Sequence, residues 1–201
     1  MSLGDSFMRV NIFGRGMDRM PDLAFRIIAL MFKIRDIFIQ KDKLLDKFGI
    51  RQGQSVVDYG CGPGSYIRKA SELVGTGGRV YAIDIHELAI ESVKKRISKE
   101  NLHNVTALAA SKERCPLNDD SIDLIYALDM FHMVANPTIF LKELNRISKP
   151  DGILFIDNGH QNRDKAKTKI NSSGTWEITE ERQRYMKCRP IKKNMTNKRT
   201  Q

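Results

Sequence analysis

From Gln54 onward the apolar residues fall into short runs separated by stretches of helical period, and this alternation predicts strand following helix through most of the chain. The runs near 55–59, 79–84, 105–109, 122–128 and 152–157 are too short for helices and rich in Val, Ile, Leu and Ala, as buried strands are. Between them, 65–74, 86–99 and 137–148 read as helices. In the second, Ile90, Val93 and Ile97 form one face, while Lys94, Lys95 and Lys99 form the solvated side. Strands alternating with helices give an α/β doubly wound parallel sheet with right-handed crossovers. Ligands of such sheets bind outside the carboxyl ends of the strands, here the loops after 59, 84, 109 and 128.

Two segments lie outside this rhythm. Pro21 opens a helix whose apolar residues, among them Phe25, Ile28, Phe32 and Ile34, cover more than one face. Arg26, Lys33, Arg35 and Asp36 interrupt it well short of the roughly 20 residues a membrane span needs. It reads as a helix packed on the sheet, as a lid lending Phe and Met side chains to a substrate site, or as an element resting on a membrane surface. After Asp157 the pattern thins to a short helix near 165–171, a turn at Ser172-Ser-Gly, and two strands near 176–179 and 184–189. The expected division is an N-terminal extension over 1–46, a principal domain over 47–190 and a basic, disordered tail over 191–201.

The net charge of +10 is unevenly placed: residues 1–50 carry +3, residues 51–160 carry −1 and residues 161–201 carry +8. Basicity therefore belongs to the C-terminal segment, which serves solubility or touches nucleic acid or anionic lipid. Cys61, Cys115 and Cys188 are scattered without C-x-x-C spacing, so free thiols in a reducing compartment, the cytoplasm, are expected. Residues 1–18 show no apolar run of signal-peptide length. His86, His103, His132 and His160 lack paired metal-ligand spacing, and no metal site is expected.

The candidate chemistry is concentrated at 56–64, Val-Val-Asp-Tyr-Gly-Cys-Gly-Pro-Gly, and at Asp84, about twenty residues further on at the end of Val80-Tyr-Ala-Ile-Asp. Gly60, Gly62 and Gly64 allow a tight turn and leave no Cβ between the backbone and a ligand across the strand tip. An acid at the second strand end is placed for ribose hydroxyls. A dinucleotide fingerprint wants its third glycine at 65, where Ser65 stands, and the carboxylate of Asp58 disfavours a pyrophosphate while suiting an ammonium group. The ligand wanted has a ribose, a cationic amine and no phosphate, and S-adenosylmethionine fits.

On these residues the chain resembles the class I S-adenosylmethionine-dependent methyltransferases, particularly the broad family that includes the ubiquinone and menaquinone C-methyltransferases. Asp58-Tyr-Gly-Cys-Gly-Pro-Gly is similar to the family's glycine-rich motif, and Asp84 to its ribose-binding acid. Cys115-Pro-Leu-Asn-Asp-Asp-Ser-Ile-Asp-Leu-Ile-Tyr is similar to its run into the fourth strand, Phe131-His-Met-Val to its Leu-His-His-Val segment, and Leu144-Asn-Arg-Ile-Ser-Lys-Pro-Asp-Gly-Ile-Leu to the stretch before its fifth strand. The resemblance implies a Rossmann-like, seven-stranded, mostly parallel sheet of order 3-2-1-4-5-7-6, with the last two strands forming an antiparallel hairpin. It also implies a cofactor set of Asp58, Tyr59, Gly60, Cys61, Gly62, Gly64, Asp84, Ile85, Ser111, Lys112 and Leu128. Ser111 departs from the family, which carries Asp there to bond the adenine amino group; the hydroxyl, or the backbone of Ser111 and Lys112, is left to hold the base edge.

A sulfonium methyl is already activated, so a base is needed only when the nucleophile arrives protonated. Asp129 and His132 past the fourth strand, and Asp157, Asn158 and His160 past the fifth, are the candidates. His132 leads, because imidazole titrates near neutrality and matches a family His, although packing or substrate positioning would also explain it. Asp84 has a competing role as N-cap of the helix near Glu87. Tyr59 and Tyr66 are cation–π partners of the ligand or core residues. The small size of Cys61 suffices to explain its place in the loop. The expected activity is methyl transfer to a small, apolar or aromatic acceptor by a monomer or homodimer. RNA or protein methylation through the basic C-terminus and non-catalytic cofactor binding are the alternatives.

Overall fold

The computed structural model describes residues 19–38, 41–111 and 113–192. Lys112 and the basic tail from 193 lie outside the described residues. Among the described residues, seven strands form one sheet of order β3-β2-β1-β4-β5-β7-β6. The strands are β1 (Ser55–Tyr59), β2 (Arg79–Asp84), β3 (Val105–Ala109), β4 (Ile122–Ala127), β5 (Ser148–Ile156), β6 (Trp176–Glu181) and β7 (Met186–Pro190). β1 to β5 pair in parallel, and β7 runs antiparallel to both β5 and β6. The helices are α1 (Asp22–Phe38), α2 (Ile67–Val74), α3 (Glu87–Glu100), α4 (Pro137–Ile147) and α5 (Arg163–Ser173).

Alternation along the buried strands divides the core in two. Val57, Ile125 and Leu154 face α4 and α5, where Trp176 is 2% exposed and its indole N–H donates to the Leu141 carbonyl at 2.8 Å. Val56, Leu124 and Val80 face α2 and α3. A 3₁₀ segment, Lys41–Lys47, closes that second face, burying Leu45 and leading into Phe48, which stacks on Phe155 at 4.0 Å.

Asn136 caps α4 by accepting from the Ile139 amide at 3.1 Å, ahead of Pro137 in the first turn. Asn162 caps α5 in the same way, accepting from the Asp164 amide at 2.7 Å. Of the boundaries that differ from expectation, two have a visible cause. α2 begins at Ile67 rather than 65, because the turn continues past Gly64, whose amide bonds the Cys61 carbonyl at 2.9 Å. β5 begins at Ser148 rather than 152. Its pairing with β4 skips from Ile122↔Ser148 to Leu124↔Ile153, so the Lys149-Pro-Asp-Gly stretch bulges out of the ladder instead of preceding the strand.

Candidate cofactor and acceptor site

The loop after β1 is tied to the end of β2. The amides of Gly60 and Cys61 both donate to the Ile83 carbonyl, at 2.8 and 3.0 Å. Gly60 has φ +77°, and a Cβ there would stand 2.7 Å from Cγ of Met130. Gly62 has φ +50°, and a Cβ there would meet no protein atom within 4 Å, leaving the approach to its backbone open. Asp84 Oδ2 accepts from the Gly62 amide at 2.9 Å and Oδ1 from the His86 amide at 2.9 Å. Asp84 is not the cap of α3: His86 takes that role, its Nδ1 accepting from the Leu88 amide at 3.3 Å. Burial raises the Asp84 carboxyl, and the His86 and Gly62 amides pull against that rise. Each Asp84 oxygen retains a lone pair for a further donor.

Asp58 lies opposite Tyr126 in the β1–β4 register and is 2% exposed. Its Oδ2 makes no hydrogen bond of normal geometry among the described residues, and burial pushes its carboxyl up to about 8 against the pull of the neighbouring Tyr126 hydroxyl. A buried, unsatisfied carboxyl beneath a glycine loop fits the cationic end of a nucleoside. Burial raises the Cys61 thiol well above its ordinary value, against any nucleophilic role.

Above the loop is a cavity of about 720 Å³, within the size range of small-molecule sites. Of the expected cofactor set, Tyr59, Gly60, Cys61, Gly62, Asp84, Ile85, Ser111 and Leu128 line it. Asp58 lies below its floor and Gly64 behind it, where a Cβ would meet Ile67 and Val93 at 3.1 and 3.2 Å. Lys112 is outside the described residues. The Ser111 hydroxyl is engaged within its own loop, accepting from the Arg114 amide at 2.9 Å and donating to the Arg114 carbonyl at 3.0 Å. The neighbouring Glu113 is an acid on this wall that sequence spacing does not single out. Tyr59 and Tyr66 are both 6% exposed and both line the cavity, so each serves core and site together.

α1 forms the roof. Phe25, Ile28 and Phe32 line the cavity, whereas Leu23, Leu30 and Ile34 are exposed on the helix. The start of α1 is held near α3: Phe25 packs on His86 with ring centroids 4.3 Å apart, and Arg19, just before the helix, pairs with Glu87 at 2.7 Å. Near its end, Arg35 reaches Asp129 and Ser65, each at 3.4 Å. Sequence reasoning saw Arg35 only as an interruption of an apolar helix; its partner Asp129 is 94 residues away, and no local pattern reports such a contact.

The far wall comes from the loops after β4 and β5. Asp129 adopts φ +60°, a left-handed conformation that Asp tolerates better than most residues, and its amide donates to Asp157 Oδ2 at 2.9 Å. Asp157 also accepts from the Gly159 amide at 3.0 Å, and the Asn158 side chain donates to the Gln161 carbonyl at 2.8 Å. These two side chains therefore brace the loops. His132 and His160 meet edge to face at 4.9 Å and both line the cavity. Nδ1 of His132 is buried with no hydrogen-bond partner among the described residues. Burial, with His160 nearby, lowers its imidazole to about 4, so at neutral pH it is an uncharged hydrogen-bonding group.

The sequence profile of a family described as a methyltransferase domain matches residues 50–198. The chain is 34% identical over 116 residues to an uncharacterised 37.1 kDa protein of transposon Tn4556 from Streptomyces fradiae, the match covering 58% of this chain and 33% of that protein. It is 26% identical over 110 residues to the demethylmenaquinone methyltransferase of Geobacillus stearothermophilus, covering 55% of this chain and 47% of that one. The matched stretch thus spans less than half the length of these curated relatives. Among solved structures, a SAM-dependent methyltransferase from Aquifex aeolicus superposes with a TM-score of 0.67 at 26% identity, covering 81% of this chain and 97% of that chain.

Proposed function

The chain belongs to the methyltransferase-domain family, and from that premise we propose that it methylates a small, apolar or aromatic acceptor, held between α1 and the loop after β4, with S-adenosylmethionine as donor. The single observation that carries this reading is the cavity itself. Its lining joins a glycine loop and an acid at the neighbouring strand tip to the side chains of Phe25, Ile28, Phe32, Met133 and Phe140, which are too apolar for a polynucleotide backbone.

When bound, S-adenosylmethionine supplies an electrophilic methyl group on a sulfonium, so the residues around it need only bind, orient and exclude water. Asp84 takes the ribose hydroxyls on its remaining lone pairs. Asp58, beneath the loop, complements the ammonium group, directly or through water. α1 and the apolar wall keep solvent from the reacting atoms. His132 presents a neutral nitrogen to the acceptor. With an imidazole lowered to about 4 it is a weak base, and its part is to accept a hydrogen bond that aligns the nucleophile. Asp129, already in contact with Arg35 and with the Tyr66 hydroxyl at 3.4 Å, organises the cofactor side of the same wall. The catalytic domain on this reading is 47–190, with α1 contributing the roof.

The test is S-adenosylhomocysteine formation across a panel of phenols, enolic rings, amines and thiols, run beside bulk RNA and protein substrates. Turnover confined to small molecules is the expected result. Turnover only with RNA or protein would replace the small-acceptor reading, and tight cofactor binding without turnover on any of them would remove the enzymatic one.

A further inference from the structure

The order of the sheet fixes how an S-adenosylmethionine-like ligand must lie. Its ribose belongs at Asp84 on β2, and β1 separates β2 from β4. With the adenine edge at the loop after β3, as the resemblance implies, the amino-acid end, joined to the opposite side of the ribose, crosses β1 toward β4. At the β4 tip it meets Asp129, Ser65 and Arg35. An α-amino acid is a zwitterion; Asp58 beneath the loop suits its ammonium, and this end of the cavity offers a guanidinium for its carboxylate.

The guanidinium is held in a way that suits this. Its back rests on the Phe32 ring, with Cζ 4.1 Å from the centroid, and Nε and one terminal nitrogen grip Asp36 at 2.9 and 2.8 Å. Its contacts toward the cavity are both long, 3.4 Å to Asp129 and 3.4 Å to Ser65, at the outer limit for hydrogen bonds. The side chain is 17% exposed, so a new ion pair there is only partly screened. The inner end of the fork is therefore aimed and supported but loosely satisfied, and a planar carboxylate is the group that fills such a fork best.

We propose that Arg35 is the clamp for the cofactor's carboxylate, contributed by a helix that lies outside the matched residues 50–198. The zwitterion's carboxylate takes the guanidinium in place of its long contact to Asp129, its ammonium stays over Asp58 beneath the loop, and α1 is thereby tied down over the site it roofs. Cofactor binding and closure of the roof are one event. This rests on the cofactor assignment above, and the test separates the two.

The experiment is calorimetric titration of the full chain and of its Arg35→Gln and Arg35→Lys variants. The ligands are S-adenosylhomocysteine and its decarboxylated analogue, which keeps the adenosine, the thioether and the amine. In the natural chain the carboxylate should improve affinity by about 10- to 100-fold, the range for a charge-assisted bidentate contact. Arg35→Gln should remove most of that preference, leaving the decarboxylated ligand's affinity within about twofold, and Arg35→Lys should restore part of it. Equal weakening of both ligands would make Arg35 a packing residue and overturn the clamp. So would a natural chain that does not distinguish the two ligands, a comparison that needs no variant to fold. If the natural chain bound neither, the cofactor assignment would fall, and the clamp with it.

Discussion

Asp58 and Tyr126 stand side by side on β1 and β4, the carboxyl 2% exposed and the phenol fully buried, and neither the Asp58 Oδ2 nor the Tyr126 hydroxyl has a hydrogen bond of normal geometry among the described residues. Such a pair costs the fold stability. Its persistence beneath the glycine loop is what a site for a cation requires, since the cation supplies the missing partner.

A proton is therefore expected to leave on cofactor binding. With its carboxyl pushed up to about 8, Asp58 is largely protonated in the empty protein at pH 7, and an arriving ammonium favours the ionised form. Titrations at pH 7 in buffers of different ionisation enthalpy should show release of a substantial fraction of one proton. Affinity should rise with pH toward about 8 and fall again as the ligand's own ammonium loses its proton. Heats independent of the buffer would place the ammonium elsewhere.

The same shift makes a stability prediction. A carboxyl raised in the fold contributes most below the unfolded value near 4; stability is lost as pH climbs from there through the folded value near 8. Asp58→Asn removes the ionisation and should be more stable to denaturant than the natural protein at pH 8, by an amount on the order of a few kcal/mol, with the gap closing toward pH 4. The variant should at the same time bind S-adenosylhomocysteine more weakly. Gain in stability with loss of affinity is the signature of a residue kept for its ligand.

Asp84→Asn tests the ribose contact. The amide keeps one acceptor for the Gly62 or His86 amide but loses charge and lone pairs, so adenosine and S-adenosylhomocysteine should weaken alike, by about 1–3 kcal/mol. A loss confined to S-adenosylhomocysteine would move the acid's role away from the ribose.

His132 and Gly159 form a second linked pair. Gly159 has φ +54°, and a Cβ there would collide with His132 Nδ1, so Gly159→Ala must displace the imidazole or the loop. Methyl transfer should fall by about tenfold or more, and more steeply than S-adenosylhomocysteine affinity, which this loop reaches only through Asp157 and Asp129. His132 also sets an acid limit. Its value is depressed to about 4, so the stability it contributes is complete above about 6.5 and is lost as pH falls toward 4. His132→Gln should flatten that part of the melting-temperature profile.

The parts legible in the sequence were those written locally. Buried parallel strands advertise themselves as apolar runs, and the Gly60–Gly64 loop and Asp84 follow strand ends that such runs locate. The hairpin was legible by resemblance, though Arg163 proves to hold its turn, donating to the carbonyls of Arg182 and Gln183 at 2.8 Å each, a contact no periodicity encodes. Three things were illegible for the same reason. The bulge after Ser148 depends on the register with β4, the engagement of Ser111 depends on how its loop turns back to Arg114, and the place of Arg35 depends on docking an N-terminal helix onto loops far along the chain. Each is a tertiary fact about residues whose own neighbourhoods are ordinary.

α1 supplies the remaining prediction, because its inward face can be changed without touching Arg35. Ile28 lines the cavity from the roof and is half-buried. Replacing it with Trp adds a large ring to the cavity from its roof and leaves the glycine loop, Asp84 and the Arg35–Asp129 pair in place. S-adenosylhomocysteine should bind Ile28→Trp within about threefold of the natural protein, whereas kcat/KM should fall by about tenfold or more for bulky acceptors and less for small ones. A size-dependent loss would make α1 a wall of the acceptor pocket. Unchanged rates for every acceptor, with the variant folded and the cofactor bound, would mean that the acceptor lies elsewhere and that the helix covers only the cofactor.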